Sequence, residues 1–164
     1  MTTSNESSHL NATEPEISVV IPCLDEADTL GTCLDKLRTV AEEDNLALEV
    51  IVADNGSRDA SPDITREHGA RLLRVERKGY GTALMGGIEA ARAPYVLMAD
   101  ADDSYDFLEL PKFLEALRQG CDLAQGCRLP AGGGTILPGA MPWSHQHIGN
   151  PMFTHFVRRW FGSP

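Results

Sequence analysis

Long apolar runs are missing from these 164 residues. No stretch of about 20 consecutive apolar residues occurs, so nothing here is built as a helix that crosses a bilayer. The first 16 residues, MTTSNESSHLNATEPE, carry neither a basic start nor an apolar core, so no secretory signal is visible. Lysine is scarce: only Lys36, Lys78 and Lys112 occur, against 24 aspartates and glutamates, and the net charge is −10. A duplex nucleic-acid binder needs a basic face, so no nucleic-acid partner is expected. The same acidity suits a high-salt cytoplasm, where it keeps a surface soluble. The four cysteines, Cys23, Cys33, Cys121 and Cys127, form no C-x-x-C pair and no zinc spacing. Reduced, buried thiols in a cytoplasmic protein are the expectation. Asn11-Ala12-Thr13 matches a glycosylation sequon, which without a secretory signal is read as chance.

What is present is an alternation. Residues 1–16 are polar and aperiodic, and read as a disordered leader. Ile17-Ser-Val-Val-Ile21, closed by Pro22, reads as a buried strand. Leu30, Leu34, Leu37 and Ala41 then recur at helical spacing, predicting a helix over about 26–43. Strands follow at 49–53, 71–75 and 94–99, with helices to about His68, Arg92 and Gln119 between and after them; Ser57 or Asp59 can cap the first of these. A fifth strand is expected around 122–126. This order predicts an α/β fold with a mostly parallel sheet and helices on both faces. Ligands of such sheets bind beyond the carboxyl ends of the strands, which directs attention to 22–26, 54–59 and 100–106. Beyond Ala131-Gly-Gly-Gly134 and two prolines, Phe153, Phe156, Val157, Trp160 and Phe161 give a helix with one aromatic face flanked by Arg158 and Arg159. That face packs on a core or lies in a membrane interface.

The densest chemistry is VLMADADDSYDF, residues 96–107, which holds four aspartates within seven positions. An EF-hand counted from Asp100 would put Tyr105 where glycine is required and Pro111 where an acid is required, so that reading fails. A phosphatase with an aspartyl nucleophile would carry its acidic pair behind the first strand, not the fourth. A solvated turn of helix-capping acids remains open. A phosphate charge roughly 4 Å from a carboxylate costs about 4 kcal/mol at an effective dielectric near 20. A divalent ion turns that repulsion into attraction, and Mg²⁺ typically takes one or two carboxylates plus substrate phosphates. The cluster therefore makes sense if a diphosphate is the ligand and Mg²⁺ or Mn²⁺ the cofactor. His145 and His147, in a proline-rich stretch, read as surface residues rather than ligands.

Four segments carry a resemblance: Ile17-Ser-Val-Val-Ile-Pro-Cys-Leu-Asp-Glu26, Val52-Ala-Asp-Asn-Gly-Ser-Arg-Asp59, Lys78-Gly-Tyr-Gly81 and Met98-Ala-Asp-Ala-Asp102. In that order they resemble family 2 glycosyltransferases, most nearly the polyprenyl-phosphate (dolichyl-phosphate) mannose and glucose synthases. Gly126-Cys-Arg128, Ile136-Leu-Pro-Gly-Ala-Met-Pro142 and Ile148-Gly-Asn-Pro151 resemble a bacterial and archaeal branch of that group. The resemblance implies a GT-A-type, Rossmann-like domain over 17–130 that binds a nucleotide-sugar. Residues 131–164 would begin an acceptor region, incomplete because the family's later D-x-x-C-G-L-R motif is not found. By position, Pro22, Leu24, Glu26 and Asp54 would line the base, and Lys78 and Gly79 the ribose and phosphates. Asp100 and Asp102 would form the DxD pair, with Asp102 the metal ligand and Asp100 also touching the donor. Arg128 would face the diphosphate or the acceptor phosphate, and together with Asp100 and Asp102 makes the catalytic set. The implied activity is inverting transfer of a sugar from a UDP- or GDP-sugar to a polyprenyl phosphate, at the inner face of the cell membrane with peripheral membrane contact. Transfer to a sugar hydroxyl, or a non-catalytic nucleotide-sugar-binding remnant, are the alternatives. Duller roles stay open for single residues: Glu26 favouring a helix dipole, Asp54 turning the chain, Lys78 and Arg128 as solvated or locally paired charges, and Gly79, Gly81, Gly86 and Gly87 serving close packing.

Overall fold

The computed structural model describes residues 14–127 and 142–162. The chain divides into two compact units, residues 1–124 and 125–164. In the first, four parallel strands form one sheet in the order β3-β2-β1-β4. They are β1 (Ile17–Cys23), β2 (Leu48–Asp54), β3 (Arg71–Arg74) and β4 (Tyr95–Met98). Between and after them lie α1 (Ala27–Glu43), α2 (Ser61–Glu67), α3 (Tyr80–Ala90) and α4 (Leu110–Arg118), the last preceded by a 3₁₀ turn, Phe107–Glu109.

β1 is buried at all seven positions, as expected of a central strand covered on both faces. Alternate residues serve different helices. Ile17, Val19, Ile21 and Cys23 pack in one cluster with Leu30, Cys33, Leu34 and Leu37 of α1 and with Leu110 and Leu114 of α4. Val20 faces the other way, toward α3. There a methyl built on Gly87 would stand 2.3 Å from the Val20 side chain. Gly87 thus serves close packing of helix on sheet, and Gly86, whose added methyl would meet Val75 at 3.2 Å, does the same.

Three expectations need correction. β1 does not close at Pro22 but runs on to Cys23; its ladder with β4 ends at Val20, so the proline falls where only β2 is paired and its missing N–H is tolerated. Residues 121–127 form no strand. Leu123 is exposed, and this short segment offers a single apolar pair between polar and glycine residues, too little to bind along the edge of β4. Only Cys23 and Cys33 are buried thiols, Cys121 and Cys127 being exposed. α2 is entered from Ala60, which has no side chain to cap it; the Asp59 carboxylate, one residue earlier, accepts from the Ser61 amide at 2.9 Å.

In the second unit a π-helical turn, His145–Gly149, leads into α5 (Asn150–Phe161). The aromatic helix therefore exists and starts earlier than its first phenylalanine, with Pro151 in the first turn and Gly162 ending it in the left-handed conformation (φ 63°). Phe156 and Trp160 stack with ring centroids 5.2 Å apart, and no residue of α5 is buried. The glycine run at 131–134, Pro138 and Arg128 lie outside the described residues.

The amino ends of the strands are joined by one buried charge. Glu49 of β2 accepts from the Ser18 hydroxyl of β1 at 2.7 Å, from Arg71 of β3 at 3.0 Å, and from the Arg92 guanidinium and backbone amide at 2.7 and 3.0 Å. Burial alone would raise its pKa; the donors outweigh it and hold the carboxyl at about 2, against an ordinary 4.5. A depressed carboxyl stabilises the fold above its unfolded pKa and loses that contribution as pH falls through the folded one. The shift corresponds to about 3 kcal/mol, present above pH 4.5 and lost progressively toward pH 2. Glu49→Gln is expected to lower unfolding free energy at pH 7 by about 2–3 kcal/mol in urea titrations and to flatten the acid limb of the stability profile between pH 4.5 and 2.

Candidate active site

All strands being parallel, their carboxyl ends lie on one edge of the sheet, and the turns after Cys23, Asp54, Arg74 and Met98 emerge there together. Cys23 and Asp54 are direct partners in the ladder, which places the first two turns side by side. They are stitched by polar bonds in both directions. The amides of Asp25, Glu26 and Ala27 donate to the Ser57 hydroxyl, the Ser61 hydroxyl and the Asp59 carboxylate at 3.0, 3.0 and 2.9 Å. In return the Arg58 amide donates to Asp25 at 2.6 Å. Asp25 adopts positive φ (58°) to make this exchange, a conformation its short polar side chain tolerates. Hydrogen bonds from Ser61 hold the Asp59 carboxyl below its usual range.

Within this frame Pro22 is buried in β1, Leu24 is half exposed, and Glu26 stands at the entrance of α1. Asp54 is buried at the end of β2, where its carboxylate accepts from the Ser57 amide at 3.0 Å. Lys78 and Gly79 are exposed and reach back to the same place. The Lys78 amine donates to the Asn55 backbone carbonyl, and the Gly79 amide donates to the Asn55 side chain at 2.7 Å. Gly56 has φ 95°, which requires glycine there, and the Lys78 amine lies across the space its side chain would take. Gly79, at φ 126°, is likewise a conformational glycine, whereas Gly81 has open space around it.

The four aspartates divide into two kinds. Asp103, at φ 57°, is paired with Lys36 of α1 at 2.7 Å, and Asp106 accepts the Leu108 amide at 3.1 Å, capping the 3₁₀ turn. Those two are structural. Asp100 accepts from the Tyr80 hydroxyl at 2.8 Å, and Asp102 accepts from the Ser104 amide at 3.0 Å. The hydrogen bond to Asp100, reinforced by partial burial and the neighbouring carboxylates, pushes the Tyr80 phenol up to about 12, so it remains a donor at neutral pH. The Cys33 thiol of α1 also donates to the Ala101 carbonyl at 3.5 Å, and burial pushes its pKa up.

Among the described residues no three His, Cys, Asp or Glu side chains converge into a ready-made metal cage. Two carboxylates, half exposed and exposed, are oxygen ligands of the type that a hard cation takes when phosphates supply the rest. The acidic turn fits Mg²⁺ or Mn²⁺ on that basis.

Every expected site residue that the structure describes therefore belongs to the cluster of turns at one sheet edge. Asn55, Ser57, Ser61, Tyr80 and Lys36 carry no expected role in the site, although Asn55 and Ser57 lie within the 54–59 stretch and Tyr80 within the Lys78–Gly81 segment. Two had a local signal: Asn55 heads an Asn-Gly turn, and Tyr80 sits between two glycines next to Lys78.

The family model for glycosyl transferase family 2 matches residues 18–159. The chain belongs to that family. Among curated relatives of this family 2 chain, the low-salt glycan biosynthesis hexosyltransferase Agl6 of Haloferax volcanii is 42% identical over 150 residues, covering 91% of this chain and 35% of that protein. A dolichyl-phosphate hexose transferase of the same organism is 33% identical, covering 74% and 51%. The chain spans about a third to a half of the length of these relatives. Among solved structures, glucosyl-3-phosphoglycerate synthase of Mycobacterium tuberculosis, in complex with Mn²⁺, UDP and glucosyl-3-phosphoglycerate, superposes with TM-score 0.55 at 28% identity over 63% of this chain and 39% of that one. The family 2 chain thus has the GT-A fold expected of it.

The Lys36–Asp103 pair tethers the acidic turn of this family 2 domain to α1. Lys36→Met is expected to speed amide exchange across residues 101–104 at low ionic strength. The difference from wild type should shrink in 1 M salt, where an ion pair with solvent access is screened; mass-spectrometric hydrogen exchange reads both.

Proposed function

We propose that this chain is the donor-binding part of an inverting hexosyltransferase that moves a sugar from a UDP- or GDP-sugar to a polyprenyl phosphate. The observation carrying the proposal is the division of the aspartates: Asp103 takes the lysine of α1 and Asp106 the helix-start amide, while Asp100 takes the hydroxyl of Tyr80, next to the Lys78–Gly79 turn, with the exposed Asp102 two residues on. In this reading Pro22, Leu24, Glu26 and Asp54 line the nucleotide base, Lys78 and Gly79 approach ribose and diphosphate, and Asp102 with Asp100 holds Mg²⁺ or Mn²⁺. A bound divalent ion supplies charge neutralisation to the departing diphosphate. Arg128, outside the described residues, has the planar fork suited to two phosphate oxygens at once.

The chemistry asks little more of the protein. An oxygen of the acceptor phosphate attacks the anomeric carbon, and the bond from that carbon to the nucleoside diphosphate breaks as the diphosphate leaves with the electron pair. The acceptor is already anionic near neutral pH, so no general base is needed to create the nucleophile. Attack opposite the leaving group inverts the anomeric centre. Positioning and electrostatic stabilisation carry such a reaction. The names of relatives that act on dolichyl phosphate support the acceptor class, and the UDP and Mn²⁺ of the mycobacterial synthase support the donor and the ion. No helix among the described residues is long and apolar enough to cross a membrane. The exposed aromatic face of α5, with Arg158 and Arg159 on its flank, is assigned to contact with the membrane that holds the acceptor.

Calorimetric titration of UDP and GDP, with and without Mn²⁺, tests the proposal. Wild-type protein should bind one of them in a Mn²⁺-dependent way. Asp102→Ala should abolish the Mn²⁺ dependence while leaving the circular dichroism spectrum unchanged. Binding that ignores Mn²⁺, or survives Asp102→Ala intact, would refute the assignment.

A further inference from the structure

The amide of Asn55 makes contacts that its position in a turn does not require. Asparagine is often found in turns because it tolerates the left-handed backbone. Here the positive φ belongs to Gly56, and Asn55 has none. Its side chain is buried and reaches across more than 20 residues of sequence. The side-chain NH₂ donates to the carbonyls of Val75 and Arg77 at 3.0 and 2.9 Å, and the side-chain oxygen accepts from the Gly79 amide at 2.7 Å. Two carbonyls and one N–H around the group settle its orientation, since the flipped amide would face like with like.

The partners are residues 75, 77 and 79, every second position of the segment after β3, which bends at Arg77 so that one amide nitrogen reaches two carbonyls. The last pair of the β2–β3 ladder is Asp54 with Arg74, and the Val75 amide still reaches the Asp54 carbonyl at 2.9 Å. β2 ends at Asp54, and beyond it the Asn55 carbonyl takes the Lys78 amine rather than a backbone amide of the 75–79 segment. The Asn55 side chain bonds residues 75, 77 and 79 instead, and so holds the segment that follows β3 as far as Gly79. The segment that follows is Lys78-Gly79-Tyr80, whose amine, amide and phenol point to Asn55 and to Asp100.

We propose that Asn55 is a positioning residue for donor binding: it fixes the 75–79 segment so that Lys78 and Gly79 are presented to the diphosphate of the nucleotide. This inference rests on the donor reading above. Alanine at 55 would leave two carbonyls and one N–H without partners and free the segment from β2. Aspartate would keep the Gly79 contact but set a carboxylate oxygen against both carbonyls.

Two measurements test it. In wild-type protein the Gly79 amide, although exposed to solvent, should exchange slowly with deuterium, and in Asn55→Ala it should exchange much faster; fast exchange in wild type would overturn the proposal without any ligand. In titrations with Mn²⁺, Asn55→Ala should bind UDP (or GDP, whichever wild type takes) about tenfold more weakly, the scale of one lost charged hydrogen bond. Affinity for the corresponding nucleoside, which lacks the diphosphate, should stay within about twofold, because the Asn55 side chain bonds to residues 75, 77 and 79 and to none of the residues assigned to the base. Combined with Lys78→Met, the loss should be smaller than the sum of the two single effects, as residues acting through one contact require. Equal losses for nucleoside and nucleoside diphosphate, or additive losses, would reduce Asn55 to a folding residue and overturn the proposal. Wild type that binds neither nucleoside diphosphate would bring down the donor reading itself, and this inference with it. Asn55→Asp serves as the second variant should Asn55→Ala fail to fold.

Discussion

The seven-rung parallel ladder between β1 and β2 is the constraint on which the rest of the first unit depends. It runs from Ile17 opposite Leu48 to Cys23 opposite Asp54 without interruption. A slip of one residue would turn Val19 and Ile21 from the α1 face to the α3 face, against all packing on either side. The slip is opposed at the amino end by Ser18 and Glu49, opposite each other in the ladder and hydrogen-bonded, with two arginines closing round the carboxylate. With the register pinned there, Cys23 and Asp54 finish level at the far end. The turns that follow can then exchange amides for hydroxyls and carboxylates at distances of 2.6–3.0 Å. A structural charge at one end of the sheet thereby serves the chemical groups at the other.

The crowding of aspartates after β4 is resolved by assignment rather than by solvation alone. A lysine from α1 takes Asp103, and a helix-start amide takes Asp106. Tyr80 presents a proton to Asp100 and keeps it at neutral pH. Asp100 and Asp102, half exposed and exposed, are the two that the donor reading gives to a divalent cation. The same economy appears on the lysine side, where one asparagine orders the segment that carries both Lys78 and Gly79.

Much of this was legible in the sequence. The order of strands and helices through α4 followed from apolar periodicity, and the three turns after strands came from the rule for parallel sheets. Packing hid the remainder. Asp103 and Asp100 look alike in the sequence, and only the position of Lys36, a whole helix away, separates them. Glu49 reads as an ordinary strand-edge acid until Arg71 and Arg92 are brought round it. Asn55 reads as a turn former because its partners lie at 75, 77 and 79. Residues 121–127 resembled a strand by place in the alternation, yet lack the apolar surface to hold one. Glycines were ambiguous for the same reason: Gly86 and Gly87 work against valines of the sheet, Gly56 against a lysine, and nothing local tells them apart.

The contact at Gly87 has a mechanical consequence. α3 sits on β1 so closely that no methyl fits between, and a helix seated in this way moves only with the sheet beneath it. Lys78, Gly79 and Tyr80 form its leading end and inherit that stiffness. The aspartates hang instead from β4, which among the described residues has a single neighbouring strand. Their turn is anchored from the helices: Ala99 and Ala101 are buried in the α1 cluster, and Lys36, Cys33 and Tyr80 each bond to it, so the acidic turn takes its stiffness from α1 and α3 rather than from a second strand.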